Sequence, residues 1–199
     1  PDSPTESSAR TLNNPLPFTE DFEGSLQGWN LTGTWGIATN DAHSGLACLA
    51  DSPGFNYANS SDSYALTAVN LVGTTWPVLR FWDRYRLADN DWARLEVSTD
   101  GNSWTPIYGA AGIRAEWAEQ SIDLSPWKNQ SNLRLRFHLW TDWSTTEDGW
   151  SIDDLTVAEH APAALALPFY ETFEAGLDQW LHASWARDTN GAYGGQYAV

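Results

Sequence analysis

Apolar and polar residues alternate in short runs along this chain, with a period of two, and turn residues separate the runs. A period of two places successive side chains on opposite faces of an extended strand. In 78–87, Leu79, Phe81, Tyr85 and Leu87 fall on one face; in 132–140, Leu133, Leu135, Phe137 and Leu139; in 92–99, Ala93, Leu95 and Val97. Runs of similar character occupy 17–23, 34–39, 46–50, 64–71, 103–108, 116–123 and 149–158. Gly24, Gly33, the 41–45 and 51–54 stretches, Asp89-Asn90-Asp91, Asp100-Gly101-Asn102 and Asp148-Gly149 divide them. Asp100-Gly101 between two alternating runs is a hairpin signal, because Gly accepts positive φ. No window carries apolar residues at helical spacing. The pattern predicts an all-β chain, an antiparallel β-sandwich (jelly roll) whose three longest apolar faces meet across the core.

The opening of this pattern is written twice. Leu16-Pro17-Phe18 leads through Glu20, Phe22, Glu23, Leu26 and Trp29 to Trp35. Leu167-Pro168-Phe169 leads through Glu171, Phe173, Glu174, Leu177 and Trp180 to Trp185, and Gly45 recurs as Gly195. The expected organisation is a polar, flexible lead-in over 1–15 and one whole domain over 16–158. A Pro-containing linker over 159–166 and an incomplete second repeat over 167–199 follow.

Composition narrows the function. The net charge of −16 argues against nucleic acid, whose phosphates need Lys and Arg, and suits cation binding. No apolar run approaches the ~20 residues of a membrane span. One cysteine, Cys48, excludes an intrachain disulfide framework and reads as a small buried residue. Thirteen Trp, with few Lys and abundant small polar residues, suggest a secreted or cell-surface protein.

Phe22-Glu23 with Gly28-Trp29 opens the domain, and Ser44-Gly45 follows the first Trp strand. Leu79-Arg80-Phe81 comes next, then the run from Leu95 through Asp100-Gly101 to Trp104, and Ile122-Asp123-Leu124-Ser125. Arg134-Leu135-Arg136-Phe137 precedes Gly149-Trp150-Ser151-Ile152-Asp153-Asp154-Leu155. In this order the motifs resemble the MAM-like jelly-roll domains carried by bacterial immune-inhibitor-A-type metallopeptidases and by repeated surface proteins. They are also similar to concanavalin A-like and jelly-roll carbohydrate-binding modules. The cysteines of eukaryotic MAM domains are missing, which argues against a receptor-type role.

The resemblance implies a structural Ca²⁺ where the first strand, an early loop and the last strand meet. The residues matching those places are Glu23, Asp41 and Ser44 of the 41–45 loop, and Asp154. Asp154 is preferred to Asp153 because it shares the parity of Trp150 and Ile152, where a buried carboxylate needs a cation or hydrogen bonds. Asp89-Asn90-Asp91 is a rival cation site.

Outward positions of three strands carry six of the ten basic residues. Arg80, Trp82, Arg84 and Arg86 share one; Arg134, Arg136, His138 and Trp140 share another, and Arg94 and Glu96 lie on a third. If these strands adjoin, they form one platform on which sugars stack and guanidiniums hold carboxylates. Catalysis finds no support: there is no HExxH or GxSxG, and His43, His138, His160 and His182 lack ligand spacing. The expected function is a non-catalytic binding or adhesion module for a glycan or a surface protein. The alternative is a fibre subunit that binds itself, a neighbour completing the second repeat.

Overall fold

The computed structural model describes residues 13–39 and 41–160. The second repeat over 167–199, and the expected lead-in and linker apart from 13–15 and 159–160, lie outside the described residues. Among the described residues eleven strands run β1 (Phe18–Glu20), β2 (Asn30–Leu31), β3 (Gly36–Ala38), β4 (Cys48–Ala50), β5 (Asp62–Val69), β6 (Pro77–Arg86), β7 (Trp92–Ser98), β8 (Thr105–Ala110), β9 (Ile113–Asp123), β10 (Leu133–Trp140) and β11 (Gly149–Glu159). The described residues contain no α-helix, only a 3₁₀ turn at Ser125–Trp127. Every predicted run contains a strand, and β2 is the one strand the pattern does not reveal. Two residues are too few to show a period.

The strands form two antiparallel sheets. One has the order β3-β4-β11-β6-β9, with β1 paired to β11 beyond β4. The other has the order β2-β5-β10-β7-β8. The predicted inward faces close the sandwich: Leu79, Phe81, Ala93, Leu95, Val97, Leu133, Leu135, Phe137 and Leu139 are all buried. Phe137 sits at the centre, with Phe81 and Trp150 each 5.4 Å away between ring centroids. Burying each such Leu or Phe contributes about 1.5–3 kcal/mol. The β7–β8 hairpin turns at Asp100-Gly101 as predicted, with Gly101 at φ 80°. Asp100 accepts the amides of Asn102 and Ser103, and these bonds draw its carboxyl down to about 2.

Sheet membership corrects the expected platform. β6 lies in one sheet and β10 and β7 in the other. The outward side chains of β6 and β10 therefore point away from each other on opposite faces of the sandwich. Alternation tells which way a side chain points relative to its own strand. It does not tell which strands adjoin.

Parity also brings one acid into the core. Asp83 follows Phe81 on the inward face of β6 and is 0% exposed. One carboxylate oxygen pairs with Arg114; the other accepts the Tyr108 hydroxyl at 2.8 Å and the Trp150 indole N–H at 3.0 Å. Tyr108 belongs to the opposite sheet, so this one carboxylate bridges the sandwich. Burial pushes the Asp83 carboxyl upward against the opposing pull of Arg114.

Candidate functional site

The outer face of the β2-β5-β10-β7-β8 sheet carries an aromatic and guanidinium surface. Trp140 ends β10 and stands opposite Trp92, which begins β7. Their rings stack 5.7 Å apart with 11° between planes. The guanidinium of Arg94 lies over the Trp92 ring at 4.1 Å, and His138 meets Trp92 edge-on at 5.2 Å. Further along β10, Arg136 lies 4.0 Å from the centre of the Trp104 ring and donates to Glu96 at 2.6 and 2.8 Å. His138 Nδ1 is 3.1 Å from Glu96, and its Nε2 is 2.8 Å from Asp62. Arg134 turns aside to the hairpin and donates to the Thr99 carbonyl. The charged groups at the middle of this face thus hold one another, and the aromatic end is what remains open.

At that open end, Trp140 is 37% exposed and Trp143, in the loop after β10, is 81% exposed. A recess of about 260 Å³ lies between them, lined also by Ser60, Ser61, Asp62, Thr141 and Asp142. A buried acid and a buried threonine hold the loops beside it. Asp91 accepts the Tyr57 hydroxyl at 2.6 Å and the Asp142 amide at 2.7 Å. Both oxygens of Asp91, named in the rival cation site, thus hold loops together. Thr141 accepts the Ser61 amide and donates to the Ala58 carbonyl, both at 2.8 Å. The recess therefore joins two apolar rings to carboxylates and hydroxyls at its edge. Such a site can stack on an apolar ring face while accepting hydrogen bonds from hydroxyls around that ring. Sequence reasoning missed both: Trp92 shares the parity of Arg94, a signal that could have found it, whereas Trp143 lies in a loop without periodic signal.

The other expected half of the platform is occupied. The 41–47 loop folds over the outer face of β6 and β11, and His43 stacks on Trp82 at 3.8 Å with 13° between planes. Arg84 pairs with Asp41, and Arg80 lies 3.4 Å from Glu119. Trp82 is thus a packing residue beneath a loop.

The expected cation ligands are what fasten this loop. Glu23 accepts the amides of Leu46 and Ala47 at 2.7 and 2.8 Å. Gly45 sits against the same carboxylate at φ 60°, and a Cβ there would overlap Glu23 Oε1. The paired recurrence of Glu23 and Gly45 as Glu174 and Gly195 follows this contact. Asp154 receives the Ser44 hydroxyl at 2.9 Å and faces His43 Nδ1 at 2.6 Å. Asp154, at φ 47° in a bulge between Asp153 and Thr156, leaves the expected inward parity and turns to the 41–47 loop, while Asp153, opposite outward Trp82, is buried beneath that loop. Asp153 accepts the amides of His43, Ser44 and Asp154. Asp41 turns away to Arg84. Among the described residues no group of three or more His, Cys, Asp or Glu side chains is placed to share a metal ion. The oxygens suit Ca²⁺ in kind, but in this arrangement they are directed at N–H and O–H donors. Nor do His43, Ser44 and Asp154 form a nucleophile–base pair, since the Ser44 hydroxyl donates to Asp154 rather than to imidazole. Cys48 is buried, and burial pushes its thiol up to about 12, which leaves it unreactive.

No family model matches the chain. Bacillopeptidase F of Bacillus subtilis (strain 168) is 29% identical over 153 residues, which cover 71% of this chain and 11% of that protein. The chain thus spans about a tenth of the curated relative's length. Among solved structures, TmCBM61, determined in complex with β-1,4-galactotriose, superposes with a TM-score of 0.53 at 16% identity, covering 70% of this chain and 94% of that one. The K3 cleaved adhesin domain of Lys-gingipain from Porphyromonas gingivalis W83 gives 0.51 at 18% identity, covering 72% and 98%. The C-terminal family 22 carbohydrate-binding module of Clostridium thermocellum Xyn10B gives 0.50 at 14%, covering 71% and 92%. At these identities the likeness is one of fold, and the chain folds as a jelly-roll β-sandwich of the kind found in carbohydrate-binding and adhesin modules.

Proposed function

We propose that this chain is a non-catalytic recognition module that takes a neutral glycan in the Trp140–Trp143 recess. The observation that carries the reading is the pair of exposed indoles flanking a recess edged by Ser60, Asp62 and Asp142. Sugar rings present C–H faces to such indoles, and their hydroxyls donate to the carboxylates. The nearby acids make this end inhospitable to an anionic sugar. Two structural neighbours, TmCBM61 and the family 22 module, are named for carbohydrate binding, and the Lys-gingipain domain is named an adhesin, which supports the same reading.

A MAM-like affiliation and a secreted or cell-surface location belong to this proposal. The affiliation accords with the motif order, and among the described residues no helix is long and apolar enough to cross a membrane. The self-binding fibre rests on residues 167–199, outside the described residues, and nothing in the described ones favours it. A structural Ca²⁺ at the Glu23–Ser44–Asp154 corner remains a separate proposal, supported by the oxygen-rich chemistry of that corner. The test is affinity electrophoresis through gels holding neutral β-glycans, galactan and xylan among them. Retardation of the native chain and free migration of Trp143→Ala support the reading; free migration of both in every gel contradicts it.

A further inference from the structure

Three of the chain's ten basic residues converge at one corner of the β3-β4-β11-β6-β9 sheet, remote in the sheet order from the tryptophan recess. Arg84 and Arg86 lie two apart on β6, and Arg114 lies near the start of β9. With Tyr85, Asp148 and Ser151 they line a cavity of about 150 Å³. The register explains the convergence: Ser151 pairs with Arg84, and Tyr85 pairs with Arg114. Between Asp83 and Tyr85, β9 carries extra residues, since their partners are Ala118 and Arg114. This bulge re-aims Arg114 toward β6.

Hydrogen-bond accounting shows capacity left over. Arg114 spends one terminal nitrogen on Asp83 and the Tyr108 hydroxyl. Its Nε is buried and has no partner among the described residues. Arg84 spends one terminal nitrogen on Asp41, and its Nε is likewise buried without a partner. Arg86 is exposed and makes no ion pair among the described residues. The planes are already held: Arg114 lies over the Tyr85 ring at 4.6 Å and Arg84 over the Trp117 ring at 5.5 Å. Asp148 stands 3.9 Å from Arg84, too far for a hydrogen bond and at the edge of the same cavity. These Nε groups are closed off from the cavity, so the donors left for an anion there are the second terminal nitrogens of Arg84 and Arg114 and the whole fork of Arg86. Guanidinium forks match a planar two-oxygen anion.

We propose that this corner binds the carboxylate of a uronic acid, with Arg86 as the gatekeeping contact and Asp148 as an internal competitor. The choice of a sugar over a peptide carboxylate rests on the reading of the chain as a glycan module; the site itself does not involve the tryptophan recess. The neutral stretch of a glycan and an acidic residue elsewhere on it would then be read by separate surfaces.

The test is a ¹H–¹⁵N NMR titration of the full chain with D-glucuronate, D-glucose and N-acetyl-L-glutamate. D-glucuronate is expected to give saturable shifts at the amides of Tyr85, Arg86, Arg114 and Gly149, which D-glucose does not give. Arg86→Ala should weaken this binding at least tenfold, and Asp148→Asn should tighten it severalfold. Trp143→Ala should leave it unchanged, so failure at the recess and failure here are read separately. Absence of saturable shifts with glucuronate, or full retention in Arg86→Ala, overturns the proposal. N-acetyl-L-glutamate binding as tightly as glucuronate overturns the assignment to a sugar.

Discussion

Trp92 and Trp140 face each other across the β7–β10 ladder, their rings stacked 5.7 Å apart with 11° between planes. Trp92 is thereby a positioning residue: it holds the Trp140 ring flat at the edge of the recess. Trp92→Ala should weaken glycan binding about tenfold, or ~1.4 kcal/mol, through loss of that orientation. Isothermal titration of the native and variant chains against the best-retained glycan checks this. Trp92→Phe should recover part of the loss, since a smaller ring still stacks.

Trp82 makes the opposite case. It lies under His43 and the 41–47 loop, so Trp82→Ala should lower stability by about 1–3 kcal/mol and leave glycan affinity unaltered. Denaturant unfolding together with the same titration separates the two effects. Lost affinity in a folded Trp82→Ala chain would place the binding face on the wrong sheet.

Asp83 should prove the most sensitive polar residue of the core. Asp83→Ala leaves the Arg114 guanidinium, the Tyr108 hydroxyl and the Trp150 indole N–H without their acceptor. Breaking a buried pair by removing one partner costs about 3–5 kcal/mol, a loss that chemical denaturation would read directly. A loss below about 1 kcal/mol would show that the bridge between the sheets is idle.

Acidity should stabilise the fold moderately. Burial pushes the Asp51 carboxyl up from 3.8 to about 7, and moves Asp83 and Asp153 in the same direction. A carboxyl whose folded value is raised contributes stability that is fully present below its unfolded value. That contribution is lost as pH rises through the folded value. For Asp51 the window runs from 3.8 to about 7. Melting temperature should therefore fall between pH 5 and pH 8, and Asp51→Asn should flatten the slope while its oxygen still accepts the Trp150 amide. A native chain whose melting temperature rises across that interval contradicts the assignment.

The corner around Glu23 offers a test with two readings. A structural Ca²⁺ there predicts that a chelator lowers the melting temperature and that added Ca²⁺ restores it. An unchanged melting temperature contradicts the ion and leaves the amides of Leu46 and Ala47 as the partners of Glu23. In either case Gly45→Ala should destabilise the loop, because its Cβ would overlap the Glu23 carboxylate.

The sandwich was legible because alternation persists over long strands such as β6, β7 and β10, where a slip of one residue would turn the whole apolar face outward. The site was legible only in part, and for reasons that lie in the same rule. Arg80 and Arg134 each point outward, as alternation requires, yet from opposite sheets, because strand order depends on long-range pairing. Asp154 and Asp153 exchanged roles because a bulge turns Asp154 outward and a loop, which no period anticipates, covers Asp153. Asp83 could have been found, since it stands between Phe81 and Tyr85 on the inward face. Trp143 could not, because a loop residue takes its place from the strands around it.

The most direct test of the recognition face is to watch the indole N–H resonances of the tryptophans as a retained neutral glycan is titrated to saturation. Binding at the recess predicts that the signals of Trp140 and Trp143 shift strongly, with Trp92 following, while Trp82 and Trp117 stay in place. Shifts confined to Trp82 and Trp117, or none at saturation, would contradict it.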